Sequence, residues 1–287
     1  MMKKVLFAAI AVLLLSTASA YAVPVEFLVS DLFDWGRLYS YNGVTNTWSP
    51  TNVNPYNGVA GNAMVGGVPG NANGSEDSWG VAQIDQVQTL PSPGSLLFDK
   101  DIPGSGELTV FFYGFDDDYL SVPDLVSGNT SIGSKLGHIE MWFDPTPDYN
   151  PALGTAGRSN ILDPTFYNTV TDDGTLVLDL APVSQNGFGH TLVSTFNFNS
   201  FAGSGAMYLD VTGSGSMDSL FDTNTQLFGS DFFLEYTVRS NTGTGSQGDW
   251  IVRGAGRAEG DVVPEPASMI LMGIGLAGAA RLRRRTA

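Results

Sequence analysis

The fold of this chain is decided by the stretch LTVFFY, residues 108–113, in which every second side chain is apolar. The same period of two recurs in HIEMWF (138–143), LVLDL (176–180) and FFLEYTVR (232–239). Successive side chains of a β-strand point to opposite faces of the sheet. The period therefore predicts strands with one set of side chains in the core and the other set directed outward.

Outward from this stretch, further segments carry a strand pattern, and glycine-rich turns separate them. These segments are 25–33, 79–87, 191–198, 205–212 and 249–257. About ten short strands with such turns predict an all-β fold, an antiparallel β-sandwich or jelly roll in an extracellular domain over residues 23–261. The stretch from Tyr41 to Asp77 is polar and rich in Gly, Asn and Pro, and we interpret it as long loops over the sandwich.

The charge of the chain limits its partners. The 287 residues include 29 acidic and 13 basic side chains and no cysteine. Residues 23–263 keep only seven of the basic residues but 28 of the acidic ones, a formal charge near −21. Such a charge repels a phosphate backbone, so nucleic acid is excluded as a partner. It favours solubility and divalent cations, and the lack of cysteine excludes disulfides.

The N-terminus has the pattern of a secretory leader. Lys3 and Lys4 precede an unbroken apolar run over residues 5–15, which predicts a short signal helix. Small residues then offer two cleavage frames, one ending at Ala20 and one ending at Ala22. We expect a signal peptide over residues 1–22, because the run is shorter than the roughly 20 residues that a membrane span needs. A core helix starting at residue 5 is the alternative.

The C-terminus combines three parts in a fixed order over residues 262–287. Pro264, Glu265 and Pro266 form an extended segment, because each proline fixes φ and lacks a backbone donor. Residues 267–280 carry no charge and predict a short transmembrane helix. A basic cluster follows, which stays on the cytoplasmic side of a membrane. It consists of Arg281, Arg283, Arg284 and Arg285.

This tail resembles the PEP-CTERM sorting signal of Gram-negative bacteria. The resemblance rests on Pro264, Glu265 and Pro266 followed by the short apolar segment and the Arg-rich end. It implies recognition by an exosortase-like processing enzyme, with the C-terminal helix holding a membrane-anchored intermediate before release to the cell surface or extracellular matrix. It also implies an association with exopolysaccharide and biofilm. An ordinary membrane anchor that is never cleaved is the alternative.

The run Asp116, Asp117 and Asp118 is the densest acidic segment of the domain. Hard oxygen ligands at the end of a strand are what Ca²⁺ prefers, so the run is a candidate Ca²⁺ site. A solvated loop end is the alternative, since no complete EF-hand loop occurs in the sequence.

Other residue types offer weaker hypotheses for function. His138 and His190 are the two histidines, and no G-x-S-x-G elbow accompanies them, so we interpret both as structural. The five tryptophans are candidates for stacking on sugar rings or for core packing. Trp48, in the loop-like stretch 47–50, is the best candidate for exposure and hence for ligand binding.

Three functions follow from these observations. The first is a structural or adhesive surface protein associated with exopolysaccharide, without enzymatic activity and without catalytic residues. The second is a non-catalytic carbohydrate-binding module. The third is a hydrolase with a scattered site, because paired carboxylates among 28 acids are compatible with glycoside hydrolysis.

Overall fold

The computed structural model of the chain describes residues 22–61, 64–65, 74–121, 124, 126–158, 163, 165–241 and 249–263. The predicted leader helix and the predicted C-terminal membrane helix lie outside these residues. So do Ala20, the three residues of the sorting motif and the four arginines of the basic cluster. Among the described residues, we find no helix with the length and apolar character needed to cross a bilayer.

Antiparallel strands are the main secondary structure of the described chain and contain about half of its residues. They are β1 (Val23–Trp35), β2 (Tyr39–Asn42), β3 (Thr47–Pro50), β4 (Met64–Val65), β5 (Ser78–Thr89), β6 (Leu96–Asp99), β7 (Glu107–Tyr119), β8 (Asn129–Asp144), β9 (Thr175–Pro182), β10 (Leu192–Asn197), β11 (Ala202–Val211), β12 (Phe232–Ser240) and β13 (Val252–Val262). Short helical turns occur at Pro151–Gly157, Asp218–Phe221 and Leu227–Gly229. The all-β prediction is confirmed.

The main sheet closes on itself. Its strands follow the order β1-β13-β12-β11-β10-β8-β7-β5, and β5 pairs again with β1. Strands β9 and β10 share one position, since both lie between β8 and β11 at different heights. The result is an eight-stranded, antiparallel, barrel-like sheet, so the predicted sandwich or jelly roll is not confirmed. Closure removes the free edges that a flat sheet would expose.

The first and last strands of the closed sheet are neighbours. Val23 at the start of β1 is the register partner of Val262 at the end of β13. Strand β13 is paired on both sides, with β1 over most of its length and with β12 from Val252 to Gly260. Strand β1 therefore begins at the same rim of the sheet at which strand β13 ends.

Apolar side chains fill the interior of the closed sheet and seal one rim. Leu178 and Leu209 are among the most deeply buried residues, and a cavity of about 90 Å³ remains between the interior side chains. At the rim, the ring of Phe221 packs against those of Phe27 and Phe232 at centroid distances of 5.8 and 5.1 Å. Such ring pairs add stabilisation beyond the area that they bury.

A second apolar layer covers part of the outside of the sheet. The segment between β8 and β9 brings Tyr167 against Trp79 and Phe111, which point outward from β5 and β7 and are fully buried. The alternate residues of LTVFFY therefore point outward, as the period of two predicts, but the second layer buries Phe111 on that face of β7. The guanidinium of Arg158 contributes to this layer, lying 3.9 Å from the ring centroid of Tyr56 and 2.7 Å from Glu76 Oε1.

The stretch predicted as long loops contains a small three-stranded sheet of β2, β3 and β4. Within it, Trp48 lies in β3 and is 8% exposed, packed against Tyr41 and Phe198. The prediction that Trp48 is an exposed loop residue is wrong. The small sheet uses this ring to cover Ile132 at the other end of the closed sheet, so the indole presents no free face to a ligand.

Candidate functional site

The outer side of strands β10 to β13 has no covering layer of described residues. Inward positions on these strands, such as Leu234 and Ala258, belong to the interior core, so the alternate positions point outward. The strand register then places these outward side chains in cross-strand rows, and directly opposite side chains are close enough to interact. We call this surface the outer face.

The central row of the outer face carries hydroxyl groups. Thr195 lies opposite Ser204, Ser204 opposite Thr237, and Thr237 opposite Ala255. All four residues are exposed. Because the side chains here are small, a groove of about 700 Å³ runs over the strands. The hydroxyls can both donate and accept hydrogen bonds along its length.

The next row holds an exposed ion pair. Arg257 Nε donates to Glu235 Oε1 at 2.6 Å, and its Nη1 lies 3.5 Å from carboxylate oxygens of Glu26 and Glu259. Glu235 and Arg257 are register partners on β12 and β13, and both line the groove. An exposed pair adds little stability, but it offers fixed charged donors and acceptors to a polar ligand.

One end of the outer face is aromatic. Tyr208 on β11 lies opposite Phe233 on β12, with ring centroids 5.0 Å apart. Phe228 meets the edge of Tyr208 at 5.1 Å and is 57% exposed. Its backbone is left-handed, with φ at 65° and ψ at 12°, although it is neither Gly nor Asn. Bulky residues rarely adopt this conformation, and such strain tends to cluster at functional positions.

The opposite end of the outer face is basic. Arg239 on β12 lies directly opposite Arg253 on β13, beside a second groove of about 310 Å³. Neither arginine forms an ion pair with another described residue, and Arg253 Nε is buried without a hydrogen bond. Like charges directly opposite each other destabilise a sheet. An anion between the two guanidinium groups would remove this cost.

The three aspartates predicted to hold Ca²⁺ do not share one site. Strand β7 continues through all of them, so the predicted loop end is wrong, and alternation sends Asp117 to the opposite side from Asp116 and Asp118. Asp118 Oδ2 lies 3.0 Å from His190 Nε2. Asp117 accepts from Ser134 Oγ at 2.6 Å. Whether an ion binds at this run stays a prediction, but its carboxylates do not converge.

Asp117 belongs instead to a buried polar group inside the closed sheet. With Asp34 and Tyr236, it lines a second cavity of about 70 Å³. Burial, together with the negative charge of Asp77, raises the pKa of Asp117 to about 7. Burial and the charge of Asp117 raise the pKa of Asp34 well above its ordinary value. The interior thus holds acids that favour the neutral form.

His138 forms part of a cross-strand cluster rather than a catalytic triad. Its Nε2 contacts Asp179 Oδ1 on β9 and lies 3.7 Å from Glu140 Oε1. Tyr113 Oη and Trp142 Nε1 donate to the two oxygens of Glu140 at 2.9 and 3.0 Å. In this arrangement the imidazole lies between two carboxylates, and the structural role of His138 stays a prediction.

The comparisons with known proteins locate one functional element. A family model described as the PEP-CTERM protein-sorting motif matches residues 262–285, which contain Pro264, Glu265, Pro266 and the basic cluster. The predicted resemblance is confirmed: the chain carries a motif for export and for sorting to the bacterial cell surface by an exosortase. No curated protein and no solved structure matches the chain.

Proposed function

We propose that this exported protein is a non-catalytic matrix protein that binds an acidic exopolysaccharide along the outer face. The observation that carries the proposal is the exposed ring of Phe228, held on a left-handed backbone next to Tyr208 at one end of a hydroxyl-lined groove. The sorting motif supports the location, since it directs the chain to the surface where such polymers lie.

The chemistry of the outer face fits an extended sugar chain. The C–H side of a sugar ring is apolar and packs on an aromatic ring, whereas its hydroxyls need donors and acceptors. From Phe233 to Arg239 the face extends six residues along β12, which is about 20 Å at the usual rise of a strand. This length accommodates several consecutive sugar rings.

The basic end selects for negative charge on the polymer. Arginine binds carboxylates through two parallel hydrogen bonds, and Arg239 and Arg253 stand side by side. Three of the seven basic residues in 23–263 lie on this face, whereas the domain as a whole is strongly acidic. We therefore expect a polymer with spaced carboxylates, since a densely charged one would be repelled by the rest of the domain.

The proposal extends to the route by which the protein reaches the polymer. In a Gram-negative cell, the apolar segment 267–280 would hold a membrane-anchored intermediate, and exosortase processing would then release the domain into the matrix. Binding without cleavage of the polymer would make the protein structural or adhesive. A free carbohydrate-binding module that does not associate with the native matrix is the alternative.

Cosedimentation with acidic and neutral bacterial polysaccharides tests the proposal. Phe228→Ala is expected to weaken binding about tenfold, the equivalent of one lost stacking contact. Phe188→Ala is the matched control, because Phe188 is 79% exposed but is not part of the outer face. Equal losses in the two variants, or no binding of the native chain to any acidic polymer, would refute the assignment. Shortening of the polymer during incubation would favour the hydrolase instead.

A further inference from the structure

A second group of carboxylates lies where strands β7 and β8 meet the segment that follows β8. Glu107 at the start of β7 is the register partner of Asp144 at the end of β8. Asp148 follows in the segment that leaves β8. One carboxylate oxygen from each of these three residues lies within 4.8 Å of the other two. Glu107 and Asp144 are buried, whereas Asp148 is exposed.

One oxygen of the Asp144 carboxylate accepts no hydrogen bond, and the Asp173 carboxyl lies close enough to Asp144 to share a proton with it. Asp144 Oδ1 accepts from the backbone N and the Oγ1 of Thr146 at 2.7 and 3.1 Å. Its Oδ2 is buried and accepts no hydrogen bond, while the residue as a whole is 4% exposed. A buried polar atom left unpaired costs about 1–3 kcal/mol, and more when it is charged. Such an atom beside two further carboxylates points to a bound ligand that supplies positive charge.

No described side chain supplies that charge. The ion pairs of the described residues include none of the three carboxylates. Asp172 and Asp173 add further negative charge beside the group. The cluster of His138, Glu140 and Asp179 differs in this respect, because it contains its own imidazole.

We propose that Glu107, Asp144 and Asp148 bind one calcium ion. All the offered ligand atoms are carboxylate oxygens, the hard donors that Ca²⁺ takes in numbers of about 6–8, with water completing the shell. The absence of nitrogen and sulfur ligands from the group disfavours zinc. The ion would also place positive charge beside Asp144 Oδ2 and remove the repulsion among the carboxylates.

A calcium ion at this position would link the segment between β8 and β9, which covers Trp79, to the closed sheet. Glu107 Oε1 already accepts from the backbone N of Asp148 and of Tyr149 at 3.1 and 3.0 Å. Tyr149 Oη in turn donates to the backbone oxygen of Asp31 at 2.9 Å. This stretch begins the segment that covers Trp79, so Ca²⁺ bound here would stabilise the attachment of that segment.

Calorimetric melting of the full chain, stripped with EDTA and kept in mild detergent, tests the site. At pH 7.5, 10 mM CaCl₂ is expected to raise Tm by about 5 °C or more, from a Kd near 10⁻⁴ M typical of extracellular sites. Asp144→Asn is expected to raise Tm without calcium, because it removes repulsion, and to abolish the calcium-dependent rise. Asp148→Asn, at an exposed position, is expected to weaken the calcium response without affecting folding.

Asp101→Asn serves as the control, because Asp101 is an exposed acid outside the group, and its calcium response should equal that of the native chain. Three results would overturn the proposal. One is no shift in Tm with CaCl₂ in the native chain, which would leave a shared proton as the partner of Asp144. Another is a calcium response that survives both Asp144→Asn and Asp148→Asn. The third is a response abolished by Asp118→Asn alone, which would assign the ion to the aspartate run of β7.

Discussion

Asp117→Asn is expected to stabilise the protein at neutral and alkaline pH. Asp117 lies inside the closed sheet, where its carboxyl accepts one hydrogen bond from Ser134 and faces the cavity shared with Asp34. Burial raises its pKa from 3.8 to about 7. The folded state therefore holds this proton more tightly than the unfolded state does, and the cost appears when the proton is lost.

The difference between the pKa of Asp117 in the folded and unfolded states sets the sign and size of the stability change. Between about pH 4 and pH 7 the folded chain binds one more proton than the unfolded chain at this group, so stability falls as pH rises. Each pH unit costs up to about 1.4 kcal/mol, which gives about 4 kcal/mol at most above pH 7. The asparagine variant cannot ionise and avoids this loss. At pH 4, where the native Asp117 is neutral, the two proteins should have similar stability.

Urea unfolding at pH 4, 5.5, 7 and 8 measures the difference directly, with Asp101→Asn as the control for an exposed carboxyl. The expected gap between Asp117→Asn and the native chain is near zero at pH 4 and widens toward pH 8. Stability of the variant equal to or below that of the native chain at pH 8 would refute the assignment of the buried charge. An unchanged pH slope in the variant would do the same.

Two further predictions concern the core and the outer face. Leu178→Ala should lower the free energy of unfolding by about 2–5 kcal/mol, because Leu178 is 1% exposed and lines an existing cavity. Urea unfolding measures this loss, and a loss below about 1 kcal/mol would contradict the packing described. Phe228→Gly should raise stability by about 1 kcal/mol by relieving the left-handed backbone, while reducing retention on acidic polysaccharide. Thermal melting and cosedimentation measure the two effects, and a loss of stability would argue against strain at Phe228.

The strands could be predicted from the sequence, but their closure could not. The period of two in 108–113 and 232–239 identifies strands because it reflects a local property of the backbone. Closure depends on β1 pairing with both β5 and β13, which no local pattern records. The burial of the outward residues of β7 could not be predicted for a similar reason, since a distant segment brings Tyr167 over Phe111.

The sorting motif could be read from the sequence, whereas the outer face could not. Pro264, Glu265 and Pro266 are contiguous, so their order alone carries the signal. Arg239 and Arg253 are brought together only by the register of β12 on β13. The loop-like surroundings of Trp48 predict an exposed ligand residue, yet its ring covers the end of the sheet. The sequence signal for Phe228 is the pair Leu227-Phe228 before Gly229, two apolar residues in a turn.

The pairing of Val23 with Val262 has a mechanical consequence. A pull on the segment that follows β13 acts along the axis of that strand, which hydrogen bonds hold on both sides to β1 and β12. Sliding the strand out requires many of these bonds to break at once, so the load is borne in shear rather than by unzipping one pair at a time. A polymer bound at Glu235 and Arg257, as proposed, would pull on β12 and β13, so hydrogen bonds of the same strands would carry that load.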